Sequence, residues 1–324
     1  MGRRYNLRDW VLFPTRDETV AALSRHRDEL KTFFRVTTPG WDSIKWAWDK
    51  KNTYELAEQL GIPCPRTFAP RSEDDLEKLF PRLPLAIKPA VKENFFYATG
   101  AKAWLAETPA QLRALYRKAA VQIDPSHILI QEIIPGGGER QLSFCAFYRD
   151  GKVNGSLLAR RARQHPREFG RAATYVETIE APAIEALAMR FLEAIDYYGL
   201  VEVEFKQDPR DQQFKLLDVN ARTWGFHTLG SAAGVDFPYL LFADQTGLPV
   251  PDCRGQAGIG WLRLLTDVPV VLSDMLAGCL SVRGYVESLR RTRVESVFSK
   301  DDPVPFLAEV ALLPYAIWRK YLAK

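Results

Sequence analysis

The chain has 324 residues, 47% of them hydrophobic and 26% charged, with a formal net charge of +4. That much apolar material is enough for the cores of two or three lobes and excludes a long disordered stretch. A charge so close to balance, with no helix or loop that concentrates cations, argues against nucleic acid as a partner.

Cys64, Cys145, Cys253 and Cys279 lack the spacing of a zinc site or of a disulfide framework. They read as reduced core residues of a cytoplasmic protein. The opening MGRRYNLRDW has no apolar h-region, so no signal peptide is expected.

VLFP at Val11 to Pro14 predicts a short buried strand, and Thr15 with Glu18 forms the T-x-x-E capping pattern of a helix reaching about Phe34. One strand and one helix do not close a sheet, so residues 1–47 read as the remnant of a small α/β domain. A second helix is expected between Ser43 and Leu60, stopped by Gly61 and Pro63. A compact α/β unit then completes 48–134. Its strands are Arg66–Phe68, PLAIKPA, AKAWLAE and ILIQEII, and Thr108 caps a helix with Pro109 at its first position.

PGGGER after Ile134 marks a hinge, because three glycines cost conformational order unless the backbone must bend or lie against a ligand. Residues 135–250 read as a larger antiparallel lobe. Asp150-Gly151 turns a hairpin, Ala181 to Tyr198 is a helix, and VEVEF and FKLLDVN are strands. Residues 251–324 read as a helical extension. Its run PVPFLAEVALLPYAIW is interrupted by Glu309 and Pro314 and falls short of the ~20 apolar residues of a transmembrane helix. It reads as a docked amphipathic helix, with contact to a membrane surface as the second reading. The class is α+β.

The most informative stretch is VEVEFKQDPRDQQFKLLDVNARTWG. Residues two apart on a strand share a face, so Glu202 and Glu204 point one way, as do Asp218, Asn220 and Arg222. Pairing the two strands as a hairpin gathers the carboxylates. Two like charges 4 Å apart repel by roughly 4 kcal/mol at an effective dielectric of 20, so the cluster calls for a cation. An all-oxygen set suits Mg²⁺, which takes one or two carboxylates and completes its shell with phosphate and water. The alternative is a solvated polar hairpin with Arg222 neutralising the acids, and for Glu202 that alternative weighs as much.

E-F, a short turn and D-V-N-A-R together are similar to the metal-binding signature of the ATP-grasp superfamily, E-F … E-x-N-x-R, with Asp218 where glutamate is usual. The resemblance runs from Trp48 to Gly247 and takes in DK before GIPCP, the lysine of AIKPA and the IQEIIPGG hinge. Within the superfamily the chain resembles the carboxylate–amine ligase branch that includes D-aspartate ligases, through DKKNTYELAEQLGIPCP, RQHPREFGRAATYVET and NARTWGFHTLGSAAGVDFPYL.

The resemblance implies an ATP-grasp fold and a preceding α/β domain that is truncated here. It implies ATP and Mg²⁺, with Mn²⁺ as a substitute, and metal ligation by Glu204, Asp218 and Asn220. Lys88 and Lys50 would hold phosphate. Lys51 competes with Lys50, and a strand-end lysine reaching solvent is the alternative for Lys88. The loop VKENFFYATG, with Lys92, reads as a lid that ends near Lys102, a further phosphate candidate. Gln131, Glu132, Ile133 and Ile134 would line the adenine slot, and Glu139 would accept a ribose hydroxyl. Arg160, Arg161 and Arg163 offer carboxylate-matching forks; Arg163 is the choice for gripping the acyl substrate, and Arg222 and Lys88 for offsetting developing charge. The implied reaction activates a small carboxylate as an acyl phosphate and joins it to an amine. Alternatives are a kinase-like phosphotransferase and a catalytically reduced nucleotide-binding regulator. A homodimer stays open.

Overall fold

The computed structural model describes residues 2–91, 95, 99–165, 170 and 172–321. Its strands begin with β1 (Val11–Leu12), β2 (Arg35–Val36), β3 (Thr67–Phe68), β4 (Leu85–Pro89), β5 (Trp104–Ala106) and β6 (Ile128–Glu132). Then come β7 (Gln141–Arg149), β8 (Lys152–His165), β9 (Ala172–Thr178), β10 (Gly199–Gln207) and β11 (Phe214–Asn220). The last are β12 (Cys253–Arg254), β13 (Gly260–Leu262) and β14 (Thr292–Glu295). Among the described residues β1 and β2 pair in parallel, β3-β6-β4-β5 form a four-stranded antiparallel sheet, and an eight-stranded sheet runs β11-β10-β7-β8-β9-β13-β14 with β12 on β8.

The segment 251–324, expected as helical, supplies β12, β13 and β14 to the large sheet as well as helices Leu264–Leu276, Val282–Arg291 and Val304–Tyr321. These strands have two to four residues each, too few for a period of two to register in the sequence.

Period two fixes the large sheet. Val201, Val203 and Phe205 of β10 enter a core with Phe144, Ala146 and Tyr148 of β7 and with Ile184, Ala188 and Phe191 of helix Pro182–Ala194. The intervening Glu202 and Glu204 therefore stand on the other face. There, Cys145, Phe147, Leu157 and Ala159 pack with Trp224, Phe226 and Phe237 in a second core. The β7–β8 turn is the expected hairpin, with Arg149 opposite Lys152 and both Asp150 (φ 50°) and Gly151 (φ 74°) in the left-handed region.

Two expected helices are each split. The first becomes Asp17–Arg25 and Arg27–Lys31, and the Thr15–Glu18 capping box does not form, because Arg16 in extended backbone is the N-cap and makes no side-chain cap. The second becomes Trp41–Trp48 and Lys50–Gln59. Asp49 sits extended between them and accepts from the Lys51 backbone N–H at 2.8 Å. The break starts a new helix at Lys50, whose N–H donates to the Ala90 carbonyl at 3.0 Å. One helix is thereby stitched to the end of β4. Of the loop after β4, Phe95 packs against Trp104 in the small-sheet core, while Lys92 and Phe96 lie outside the described residues. No helix among those described is long and apolar enough to cross a membrane.

Candidate active site

A cleft of about 1300 Å³ opens between the small sheet and the acidic face of the large one. Lys88 enters it from β4, and Gln131 to Ile134 from β6 and the turn that follows. Glu202 and Glu204 enter from β10, and Asp218 and Asn220 from β11. Register explains the convergence. Glu202 lies directly opposite Asn220 and Glu204 opposite Asp218, so all four share a face. A bulge follows, with Leu217 as the extra residue of β11 between the pairs Glu204–Asp218 and Phe205–Leu216.

Arg161, Asn220 and Lys50 each hold one or more of the acids. Arg161 Nη2 donates to Glu202 Oε1 at 2.8 Å and to Glu204 Oε1 at 2.6 Å. Asn220 Nδ2 donates to Glu204 Oε1 at 2.8 Å and to Glu202 Oε2 at 3.2 Å. Lys50 Nζ reaches Asp218 Oδ1 at 2.5 Å. Ser143 and Gln141 of β7 add donors to Glu202 and Glu204. Burial raises the Glu202 carboxyl above its ordinary value, against the pull of Arg161. Burial acts the opposite way on Arg161, but Glu204 and Glu202 outweigh it and hold the guanidinium above its ordinary value. Protein cations thus neutralise the site.

Lys88 Nζ is 2.7 Å from the Tyr54 hydroxyl and 2.6 Å from Gln131 Oε1. Tyr54 in turn donates to the Leu217 carbonyl at the bulge, at 2.7 Å. Burial pushes the Tyr54 hydroxyl far above its usual value, so it stays neutral and hydrogen-bonded. Two packed polar partners fix where the ammonium sits, inside the cleft and not out in solvent.

Lys102 also lines the cleft and donates to the Gly170 carbonyl at 2.9 Å, bridging the small-sheet side to the β8–β9 segment. Arg222 lines it too, with Nε on Asp17 Oδ1 at 2.6 Å and Nη2 near Asn220 Oδ1 at 3.4 Å. Two expected residues stand elsewhere. Glu139 is not in the cleft wall; its Oε1 accepts from the Gly137 N–H at 3.1 Å. Arg163 is buried in a two-pronged pair with Asp267, both contacts 2.8 Å, between the rings of Tyr175 and Tyr285. The cause is a bulge: β8 carries one extra residue between Arg160 and Arg163, opposite Glu177 and Tyr175 of β9. That bulge turns Arg163 away from the face that Arg161 occupies.

Two residues of the wall, Lys206 and Asp17, were missed, and Arg161, named only as one of three arginine forks, is the fork that reaches the acids. Arg161 continues the alternation of Leu157 and Ala159, and Lys206 that of Glu202 and Glu204; both signals were in the sequence. Lys206 Nζ donates to the carbonyls of Ile134 (2.8 Å) and Gly136 (2.6 Å) and so ties β10 to the hinge. Asp17, at the start of its helix, carried no local signal for pairing with Arg222.

Under the hinge, Asp208 is bound by Arg210 and Lys215, which also reach Glu132. Hydrogen bonds from Arg210 first, and then Lys215, hold the Asp208 carboxyl below its ordinary 3.8. A depressed carboxylate contributes stability above that value and loses it as pH falls through the folded pKa. Asp208→Asn is therefore expected to lower the melting temperature at neutral pH, with the gap from the parent closing below about pH 4. A gap that is constant with pH would show that charge at Asp208 is not the cause.

Among the described residues no three His, Cys, Asp or Glu side chains converge as a ready metal cage. Glu204 and Asp218 on directly opposed strand positions do fit the one or two carboxylates that Mg²⁺ takes when phosphates complete its shell.

Two sheets clasping a cleft, a hinge strand on one and opposed acids on the other, constitute an ATP-grasp fold. No family model matches the chain. It is 24% identical over 224 residues to the D-aspartate ligase of Enterococcus faecium (strain Aus0004), a match covering 66% of this chain and 53% of that protein. Among solved structures it is similar to a biotin carboxylase–ATP complex from Campylobacter jejuni, with TM-score 0.60, 18% identity and 74% and 55% of the two chains covered. It is also similar to the biotin carboxylase domain dimer of Hydrogenobacter thermophilus 2-oxoglutarate carboxylase in complex with MgADP and bicarbonate, with TM-score 0.61, 14% identity and 77% and 57% covered. The chain spans about half the length of these proteins. The fold read from the sequence is borne out, as is the likeness to carboxylate–amine ligases.

Proposed function

We propose that the chain is an ATP- and Mg²⁺-dependent carboxylate–amine ligase acting in the cytoplasm on small molecules. The observation that carries this reading is the meeting of Lys50 and Lys88 with the opposed carboxylates Glu204 and Asp218 in one cleft under the β6 hinge. Adenine fits against Glu132 to Ile134. Glu204, Asp218 and Asn220 would hold Mg²⁺, which when bound would supply positive charge against the terminal phosphates of the nucleotide.

Lys88, fixed by Tyr54 and Gln131, faces the transferring phosphoryl group, and Lys50 exchanges Asp218 for phosphate. A substrate carboxylate oxygen bonds to the γ-phosphorus while the bond to ADP breaks. An amine then attacks the acyl carbon of that acyl phosphate, and inorganic phosphate leaves with an amide formed. Arg222 and Arg161 line the remaining wall and match a carboxylate by their guanidinium forks. Catalysis is positioning plus electrostatic stabilisation.

A mass-spectrometric screen of amino acids and other small carboxylates against acceptor amines, with ADP release followed, tests the reading. An amide formed in step with ADP supports it. ADP formed with a stable phosphorylated product and no amine consumed would replace it with a phosphotransferase. Lys88→Met is expected to cut ADP release by roughly 10²–10³-fold, the usual cost of removing one preorganised donor at developing charge; steady-state kinetics at saturating ATP give the check.

A further inference from the structure

Helix Val304–Tyr321 is attached to the body along one side. Phe306 meets the Phe298 ring edge-on, with centroids 5.7 Å apart, and Glu309 pairs with Arg263, a residue of the cleft wall. The opposite side carries Val304, Leu307, Ala311, Tyr315 and Trp318, at steps of three and four residues. Such a stripe normally faces a core. Here Leu307, Tyr315 and Trp318 are 60%, 56% and 52% exposed. Glu309, the helix's acid, is turned inward, so the outer face bears no negative charge. Arg319, Lys320 and Lys324 follow the stripe in sequence, and the Tyr315 and Trp318 rings lie 6.0 Å apart just before them.

We propose that this face docks on an anionic lipid surface. The uncharged stripe enters the boundary between headgroups and acyl chains, as amphipathic interfacial helices do. Tyr315 and Trp318 have the apolar body and polar tip that settle at that boundary. Arg319, next to Trp318 in the chain, meets acidic headgroups, and the charge complementarity favours lipid over a neutral protein groove. Arg263 joins the cleft wall to Glu309, so a docked helix holds the cleft opening at the membrane. The inference stands independently of the ligase reading.

Flotation of the 324-residue chain with vesicles of phosphatidylcholine alone, or mixed with phosphatidylglycerol, provides the test. The chain is expected to float with the mixed vesicles, less with the neutral ones, and less again as salt is added. Leu307→Asp combined with Trp318→Asp should lower the partition coefficient at least about a hundredfold, each large apolar side chain accounting for about tenfold or more. Arg319→Glu should lower it about tenfold on the acidic vesicles alone. The replaced side chains are exposed, so the melting temperature should hold in both variants. Failure to float with the acidic vesicles overturns the proposal. So does a concentration-dependent dimer in sedimentation that the same substitutions dissolve, which would make a second copy the occupant.

Discussion

Asp218→Ala is expected to lower ATP turnover by about a hundredfold to a thousandfold while leaving the chain folded. Asp218 lies directly across from Glu204 and holds Lys50 at 2.5 Å. Its loss leaves the cation site with one carboxylate from the opposed pair and leaves Lys50 without the anion that positions it. Both effects act on the phosphate end of the cleft, so the Mg²⁺ concentration needed for half-maximal turnover should rise as well. Asp218→Glu, which restores the longer acid of the family signature, should retain most of the activity. ADP release measured across a Mg²⁺ titration, beside a thermal melt, gives the check. Turnover unchanged in the alanine variant would remove Asp218 from the machinery.

Arg163→Ala is expected to destabilise the fold by about 3–5 kcal/mol, the usual result of stranding one partner of a buried ion pair. The side chains of Arg163 and Asp267 are 5% and 0% exposed. The guanidinium also fills the space between Tyr175 and Tyr285, so truncation removes packing as well as charge. The melting temperature should fall on the order of 10 °C. Below the transition the variant should keep its KM for both substrates, whereas a residue gripping the acyl group would raise it. This pairing ties β8 to helix Leu264–Leu276, and its loss should loosen the C-terminal segment first. Hydrogen exchange confined to residues 260–295 would register that loosening.

The acidic face was legible because it depends only on alternation along two strands and on one short turn. Glu202, Glu204, Asp218 and Asn220 needed no knowledge of distant chain to be placed together, and Lys88 followed from a charged residue inside an apolar strand. What stayed hidden depends on events the local pattern does not encode. One extra residue in β8 reversed the facing of Arg163 and left Arg161 as the arginine at the acids. An extended Asp49 split a stretch that reads as continuous helix, and that break is what presents Lys50. Asp17 reaches Arg222 across 205 positions of sequence, and β13 and β14 are too short to announce themselves. The arrangement of opposed acids was therefore readable, and the alternation through Leu157 and Ala159 carried Arg161 to their face, but the helix break that brings Lys50 to Asp218 was not.

A structure with Mn²⁺ and a non-hydrolysable ATP analogue, located by anomalous scattering, addresses the central proposal most directly. The expected result is a metal peak at Glu204 and Asp218 beside the terminal phosphates, with Lys88 against the same phosphates and adenine beside Glu132 to Ile134. A nucleotide seated elsewhere, or a metal peak away from those carboxylates while Arg161 and Lys50 keep their pairs, would contradict it.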